Sequence, residues 1–206
     1  MSEFWETAFS QNQLDWGLEP TQSALFAAEY FAGQGIRSVL IPGLGYGRNA
    51  IPFLERGMAV TGIEISATAI AMARSRLNLQ FPIHHGSVTA MPFDAQTYQG
   101  IFCYGLIHLL GPQERAHFIQ ACYQQLSPGG LMMISAVTQA APMYRLGTKL
   151  GPDWYEVKPG LKMYFYDDDA VQREFGPWGL QEYSTIIEAA HSAAALPFFN
   201  VICKHP

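Results

Sequence analysis

The chain has 206 residues, of which 49% are apolar and 14% are charged. This length allows one domain with a substantial core, and this composition excludes a disordered chain. The net charge is −5 and the basic residues are scattered singly, which argues against nucleic acid as a partner.

Cysteine usage and the N-terminal sequence indicate a reducing compartment. The chain has three cysteines, Cys103, Cys122 and Cys203, with no CxxC pair, so we expect neither a disulfide framework nor a metal site. The first residues lack the basic and apolar regions of a signal peptide, and no apolar run reaches the ~18 residues that cross a bilayer. We therefore expect a cytoplasmic protein without a membrane partner; the sequence leaves the oligomeric state open.

Helix and strand patterns alternate along most of the chain. Apolar periodicity, caps and turn residues predict helices over 21–32, 48–56, 67–76, 112–126 and 167–175. Short apolar runs predict strands over 38–41, 58–63, 81–84, 99–104, 131–137, 180–187 and 198–203. This alternation is typical of an α/β fold, with a doubly wound, mostly parallel sheet of seven strands and helices on both faces.

We expect residues 1–206 to form one domain with two added features. Residues 1–35 are interpreted as an N-terminal region of cap helices. Residues 138–165 show no convincing periodicity, although they carry aromatic and basic side chains such as Tyr144, Trp154 and Lys162. Because so long an irregular loop is uncommon in a compact domain, we predict a substrate lid that suits a small acceptor with an apolar body and an anionic end.

A glycine-rich turn carries the strongest functional signal. Gly43, Gly45 and Gly47 occupy alternate positions between the first predicted strand and the following helix. Such a turn brings the backbone close to a ligand and aims helix N–H groups at it, which indicates a nucleotide-like cofactor. The dinucleotide fingerprint would place its third glycine at Arg48, so the spacing disfavours NAD.

An acidic residue follows the second predicted strand. Glu64 lies 19 residues after Gly45, where a carboxylate can accept two hydrogen bonds from a ribose diol. Leu44 and Ile65 would supply apolar contacts near the adenosine. Ser87 and Val88, after the third strand, would place a hydroxyl and a backbone N–H against the adenine.

Taken in order, these motifs resemble the class I S-adenosylmethionine-dependent methyltransferases. The resemblance covers nearly the whole chain, from the glycine motif through Glu64 to the turn at 126–130. Residues 42–47 with 62–66 look like the thiopurine, thiol and halide methyltransferases. The step at 47–49 and the opening with Trp5, Phe9 and Trp16 look like the tellurite-resistance methyltransferases.

The resemblance implies a Rossmann-like fold, S-adenosyl-L-methionine as cofactor and in-line methyl transfer to a small, soft acceptor such as a thiol, metalloid or halide. It assigns cofactor binding to Trp16, Pro42, Gly43, Leu44, Gly45, Gly47, Asn49, Glu64, Ile65, Ser87, Val88 and Tyr104. Tyr104 would also contact the sulfonium, and His108 is the candidate base.

Two positions depart from the usual pattern of this family. Ile41 stands where an acidic residue usually supports the cofactor's amino group, and Ser87 stands where an aspartate is common. Two alternatives therefore stay open. One is an NAD(P)-dependent oxidoreductase that uses the same turn with Glu64, and the other is a catalytically silent module that binds S-adenosylmethionine.

Overall fold

A seven-stranded sheet forms the centre of the molecule. The structure, a computed structural model, describes residues 2–12, 17–189 and 195–206. The strand order is β3-β2-β1-β4-β5-β10-β9. Five strands are parallel, namely β1 (Ser38–Pro42), β2 (Ala59–Glu64), β3 (Ile83–His85), β4 (Tyr98–Tyr104) and β5 (Leu126–Val137). The antiparallel strand β10 (Leu196–Lys204) lies between β5 and β9 (Leu180–Glu188).

Both faces of this sheet carry apolar side chains, because successive residues of an apolar strand point to opposite sides. In β4, Ile101 and Cys103 pack in one core cluster with helix residues Phe118 and Phe175. Phe102, which lies between them in the strand, packs in a second core cluster that includes residues of the helix Gln22–Gly33. The doubly wound, mostly parallel architecture predicted from the sequence is therefore confirmed.

Six α-helices accompany the strands in the described residues. They are α1 (Ser2–Asn12), α2 (Gln22–Gly33), α3 (Ile51–Glu55), α4 (Ala67–Arg76), α5 (Pro112–Gln124) and α6 (Asp168–Phe175). The expected caps are confirmed, since Ser66 Oγ accepts the N–H of Ala69 and Asp167 accepts that of Ala170. The predicted helix over 48–56 begins instead as a 3₁₀ turn, and α3 starts only at Ile51 with proline in its first turn.

The segment expected to be irregular contains a second, smaller sheet. Its antiparallel strands are β6 (Thr148–Gly151), β7 (Trp154–Lys158) and β8 (Leu161–Tyr164), and we name residues 148–164 the appended sheet. The expectation that 138–165 lacks regular elements is wrong. Each strand has only four or five residues, and register shifts interrupt both ladders, so the alternation that identifies a strand is lost.

None of the helices described is both long and apolar enough to cross a membrane.

Candidate active site

The glycine loop after β1 is tied to the neighbouring strand. The N–H groups of Gly43 and Leu44 both donate to the carbonyl of Ile63, at 2.9 and 3.0 Å. A Cβ on Gly43 would lie 2.6 Å from Leu106, so this glycine is required for packing. At Gly45, by contrast, φ is +59° and the nearest side chain, Phe9, is 3.7 Å from a hypothetical Cβ. Gly45 is therefore a loop glycine whose surroundings would admit a Cβ without a clash.

The other predicted residues of this loop are engaged with the protein. Pro42 ends β1 and is buried, and the side chain of Leu44 packs over Gly62. A Cβ on Gly47 would collide with Leu79. The amide oxygen of Asn49 accepts the N–H of Thr21 at 3.0 Å, so it joins the loop to the start of α2. Its role toward a cofactor stays a prediction.

Glu64 is buried and organises the site from within. Its Oε2 accepts the N–H of Gly45 at 2.6 Å, and Oε1 accepts the N–H groups of Ile65 and Ser66, both at 2.9 Å. Only 5% of the residue is exposed, so the strand end is less open than the sequence suggests. Burial raises the pKa of this carboxyl, opposed by the three backbone hydrogen bonds.

These contacts limit what Glu64 can accept from a ribose. A carboxylate oxygen has two acceptor positions. Oε1 uses both for backbone N–H groups, whereas Oε2 uses one for Gly45. The arrangement accommodates one further donor at Oε2, and two ribose hydroxyls would require one backbone contact to be released.

The expected adenine side of the site is a short polar turn next to Glu64. Gly86 donates its N–H to the carbonyl of Glu64 at 2.9 Å, which fixes this turn to β2. The Ser87 hydroxyl lies 2.7 Å from that of Thr89. The side chain of Val88 is buried in the core, so its backbone is the part available to a ligand. Adenine recognition by these residues stays a prediction.

Tyr104 and His108 follow one another at the carboxyl end of β4, but their surroundings differ. Burial raises the pKa of the Tyr104 phenol, and the Glu188 carboxylate adds to this shift. Burial lowers the pKa of His108 to about 3, and its Nδ1 accepts the Val137 N–H at 3.5 Å. His108 is therefore neutral near pH 7 and poorly suited to act as a base.

In the N-terminal region, helix α1 contacts the glycine loop and the start of α4. On α1, Phe9 packs with Tyr46 of the glycine loop, and Glu6 accepts a hydrogen bond from Ser66 Oγ at 2.6 Å. Glu6 also accepts from the Thr68 backbone and hydroxyl. Helix α1 thus lies over the glycine loop and the start of α4. The predicted cofactor residue Trp16 lies outside the described residues.

Glu188 is a site residue that the sequence did not reveal. It ends β9 and is only 5% exposed. Its two oxygens accept the N–H groups of Ser23 at 2.7 Å and Gln22 at 3.0 Å. Glu188 therefore caps α2 beside Tyr104. The sequence shows an acidic residue at the end of a predicted strand. Its partner Ser23 is 165 residues away and cannot be inferred from local pattern.

A cavity of about 260 Å³ opens next to this region. It lies between α1, the segment after β4 and the appended sheet. Its lining residues include Phe4, Trp5, Leu109, Trp154, Leu161 and Lys162. Within the ranges that the structure describes, no group of three His, Cys, Asp or Glu residues could hold a metal ion.

Comparison with known proteins gives this geometry a family context. Residues 39–130 match the family model described as a methyltransferase domain. No curated protein matches the sequence significantly. Many solved structures share the fold of this chain.

Three solved structures illustrate the likeness. One comes from a study of the conversion of a disulfide bond into a thioacetal group during echinomycin biosynthesis. It is 19% identical to this chain with a TM-score of 0.77, and the match covers 100% of this chain and 93% of that one. The Burkholderia thailandensis 1,6-didemethyltoxoflavin-N1-methyltransferase, with 1,6-didemethyltoxoflavin and S-adenosylhomocysteine bound, is 16% identical with a TM-score of 0.74 and coverages of 100% and 87%. TehB from Haemophilus influenzae is 15% identical with a TM-score of 0.67 and coverages of 88% and 62%.

Proposed function

We propose that this chain is a methyltransferase, and that it uses S-adenosyl-L-methionine to methylate a small, soft acceptor such as a thiol, metalloid or halide. The observation that carries the proposal is the contact between Glu64 and the N–H of Gly45. It joins the acid after β2 to the one glycine of the 43–47 loop at which no side chain would clash with a Cβ. The third-glycine position of a dinucleotide site holds Arg48 instead, which argues against NAD.

The chain's own residues fit this cofactor. Gly45 leaves space for close approach of the backbone, and Glu64 Oε2 retains one acceptor position for a ribose hydroxyl. Tyr104 offers a neutral aromatic ring at the end of β4, where attraction to a sulfonium is worth about 0.5 to 2 kcal/mol. When bound, the cofactor supplies an electrophilic methyl group for in-line displacement.

The surroundings of β4 support a soft acceptor. His108 has a pKa of about 3 and an engaged Nδ1, and burial keeps the Tyr104 phenol protonated. Neither side chain can remove a proton efficiently near pH 7. Acceptors that already carry a reactive lone pair need positioning and a dry pocket rather than a base.

Calorimetry and a methyl-transfer screen test the proposal. We expect saturable binding of S-adenosylmethionine and S-adenosylhomocysteine, and weaker binding of NAD. Radiolabelled methyl transfer should then be screened across thiols, halides, selenite, tellurite and small acids. Absence of heat with both sulfur compounds would refute the proposal. Tighter binding of NAD would favour an oxidoreductase, and cofactor binding without transfer to any acceptor would favour a silent module.

A further inference from the structure

The cavity beside α1 has the size of a small ligand site. Its volume of about 260 Å³ equals roughly nine water molecules at ~30 Å³ each. A molecule of about ten non-hydrogen atoms fills such a space, which corresponds to one substituted ring. Most ligand cavities are larger, at roughly 300 to 1,000 Å³, so the volume favours a small acceptor.

Aromatic side chains line this cavity from two separate elements. Phe4 and Trp5 come from α1, with their rings edge to face at 5.2 Å. Trp154 comes from the appended sheet, and Leu109 and Leu161 add apolar surface. Rings contact other rings with favourable edge and face geometry, so this lining selects a flat aromatic body over an aliphatic one.

The lining contains one cationic side chain, Lys162, and one carboxylate, Glu114. Lys162 is exposed and forms no ion pair with any carboxylate of the described ranges. Glu156, its neighbour across the strands, instead accepts the N–H of Gly160 at 2.8 Å. The lining carboxylate, Glu114, accepts the N–H of Gly111 at 2.7 Å at the start of α5. An anionic substituent would therefore find Lys162 as its partner.

The cavity also lies where an acceptor is needed. Leu109 ends the turn that follows β4, and it packs in the same apolar cluster as Tyr104. Ligands of open α/β sheets bind beyond the carboxyl ends of the strands. The cavity is therefore next to the strand end that carries Tyr104.

We propose that this cavity binds the acceptor, and that the acceptor is a thiol carried on a single aromatic ring with one anionic substituent. The identification as an acceptor site rests on the function proposed above. The ring lies among Phe4, Trp5 and Trp154, and the anion lies at Lys162. Glu6 is a positioning residue, because its bonds to Ser66 and Thr68 hold α1 in the place where Phe4 and Trp5 complete the wall.

Nuclear magnetic resonance on the full chain tests the site with benzoate as the probe. In ¹⁵N-labelled protein, the indole N–H signals of Trp5 and Trp154 should shift saturably. The signal of Trp178, which packs against Tyr123 away from the cavity, should stay in place. Benzamide lacks the charge and cyclohexanecarboxylate lacks the aromatic ring, so both should bind more weakly. Equal binding of all three compounds, shifts without saturation, or an equal shift of Trp178 would overturn the proposal.

Matched variants test the contributions of Lys162 and Glu6 to benzoate binding. Lys162→Gln should weaken benzoate about two- to fivefold, the range of an exposed ion pair, whereas Lys158→Gln on the same sheet should not. Glu6→Gln should weaken benzoate and move the free-state Trp5 signal without changing the melting temperature. Glu3→Gln on the same helix should change neither the binding of benzoate nor the Trp5 signal. Equal effects of target and control variants would contradict these assignments.

Calorimetry with S-adenosylhomocysteine separates this inference from the proposed function. Binding of S-adenosylhomocysteine without benzoate in the cavity would overturn the acceptor site alone. If benzoate binds in the cavity but the protein does not bind S-adenosylhomocysteine, the proposed function is wrong. The cavity would then be a binding site for aromatic anions and not an acceptor site.

Discussion

Glu64 connects the glycine loop to the turn that begins α4. Its carboxylate accepts three backbone N–H groups from both segments. Glu64→Gln keeps the shape but replaces one oxygen by a donor. We expect the affinity for S-adenosylhomocysteine to fall by about 1.5 to 3 kcal/mol, the value of hydrogen bonds to a charged group. Calorimetry measures this change, and an unchanged affinity would remove Glu64 from the site.

The larger truncation Glu64→Ala has a second effect. It leaves the N–H groups of Gly45, Ile65 and Ser66 without their acceptor in a nearly closed environment. Buried donors without partners cost about 1 to 3 kcal/mol each. The alanine variant therefore loses stability as well as affinity, so glutamine is the informative substitution.

Cofactor affinity should depend on pH through the same carboxyl. Burial raises the pKa of Glu64 above its ordinary value of 4.5 in the free protein. A ribose hydroxyl donates to the ionised form, so the bound complex has the lower pKa. Binding therefore releases a proton, and affinity rises with pH between the lower pKa of the complex and the raised pKa of the free protein. Calorimetry from pH 4.5 to 8 checks the sign, and Glu64→Gln should abolish the dependence.

Gly45 is the second residue on which the site depends. Its φ of +59° is strained for residues with a branched Cβ, and a Cβ there would already be in contact with Phe9. Gly45→Val should therefore abolish binding of S-adenosylhomocysteine by shifting the loop. Gly35→Val is the control for backbone strain, because φ is +75° there, no atom lies within 4 Å of a hypothetical Cβ and the position follows α2. Retained binding in Gly45→Val would mean that the turn is only structural.

At the scale of elements, a buried ion pair holds α5, α6 and β8 together. Arg115 donates to both oxygens of Glu174, at 3.0 and 3.1 Å, and its guanidinium lies 3.8 Å from the ring centre of Tyr164. Glu174→Ala leaves an unpaired charge that is only 5% exposed. We expect a loss of about 3 kcal/mol in the free energy of unfolding, measured with urea.

The control for this pair is Asp169→Asn, an exposed change on α6. It should cost less than about 0.5 kcal/mol. Equal costs for the two variants would mean that the ion pair contributes nothing beyond a surface contact.

The appended sheet is a less mobile element than a loop would be. Tyr155, Met163 and Phe165 are buried with Phe198 of the central sheet. Replacing residues 138–165 by a flexible linker would therefore expose core surface as well as remove a lid. The role of this segment as a lid stays a prediction, and it needs a test that leaves the chain intact.

Hydrogen exchange supplies that test. Without ligands, we expect slow exchange in β7 and β8 and fast exchange in the exposed strand β6. If the segment closes over the acceptor, added S-adenosylhomocysteine and benzoate should slow exchange in residues 148–162. An exchange pattern that the two ligands leave unaltered would argue against a lid.

For the molecule as a whole, the sequence predicts features that arise from local pattern. The central strands are continuous apolar runs, and the caps at Ser66 and Asp167 lie at their expected places. Their signals lie within a few residues, so they can be read without the fold. The acid after β2 and the glycine loop were found in the same way.

The features that escaped prediction depend on distant partners. Glu188 caps a helix 165 residues away, and Arg115 meets Glu174 across 59 residues. The environment of His108 also follows from packing, since its position after β4 suggests a base whereas burial lowers its pKa to about 3. The appended sheet has strands too short and too shifted in register to show alternation.

The position of β10 determines the order in which the sheet can assemble. In the central sheet, β9 pairs only with β10, although β10 comes later in the chain. Until β10 is made, β9 has no ladder to join and keeps its backbone groups in water. The two strands therefore enter the sheet as an antiparallel pair, and pulse-labelled amides in Leu180–Glu188 should gain protection no earlier than those in Leu196–Lys204.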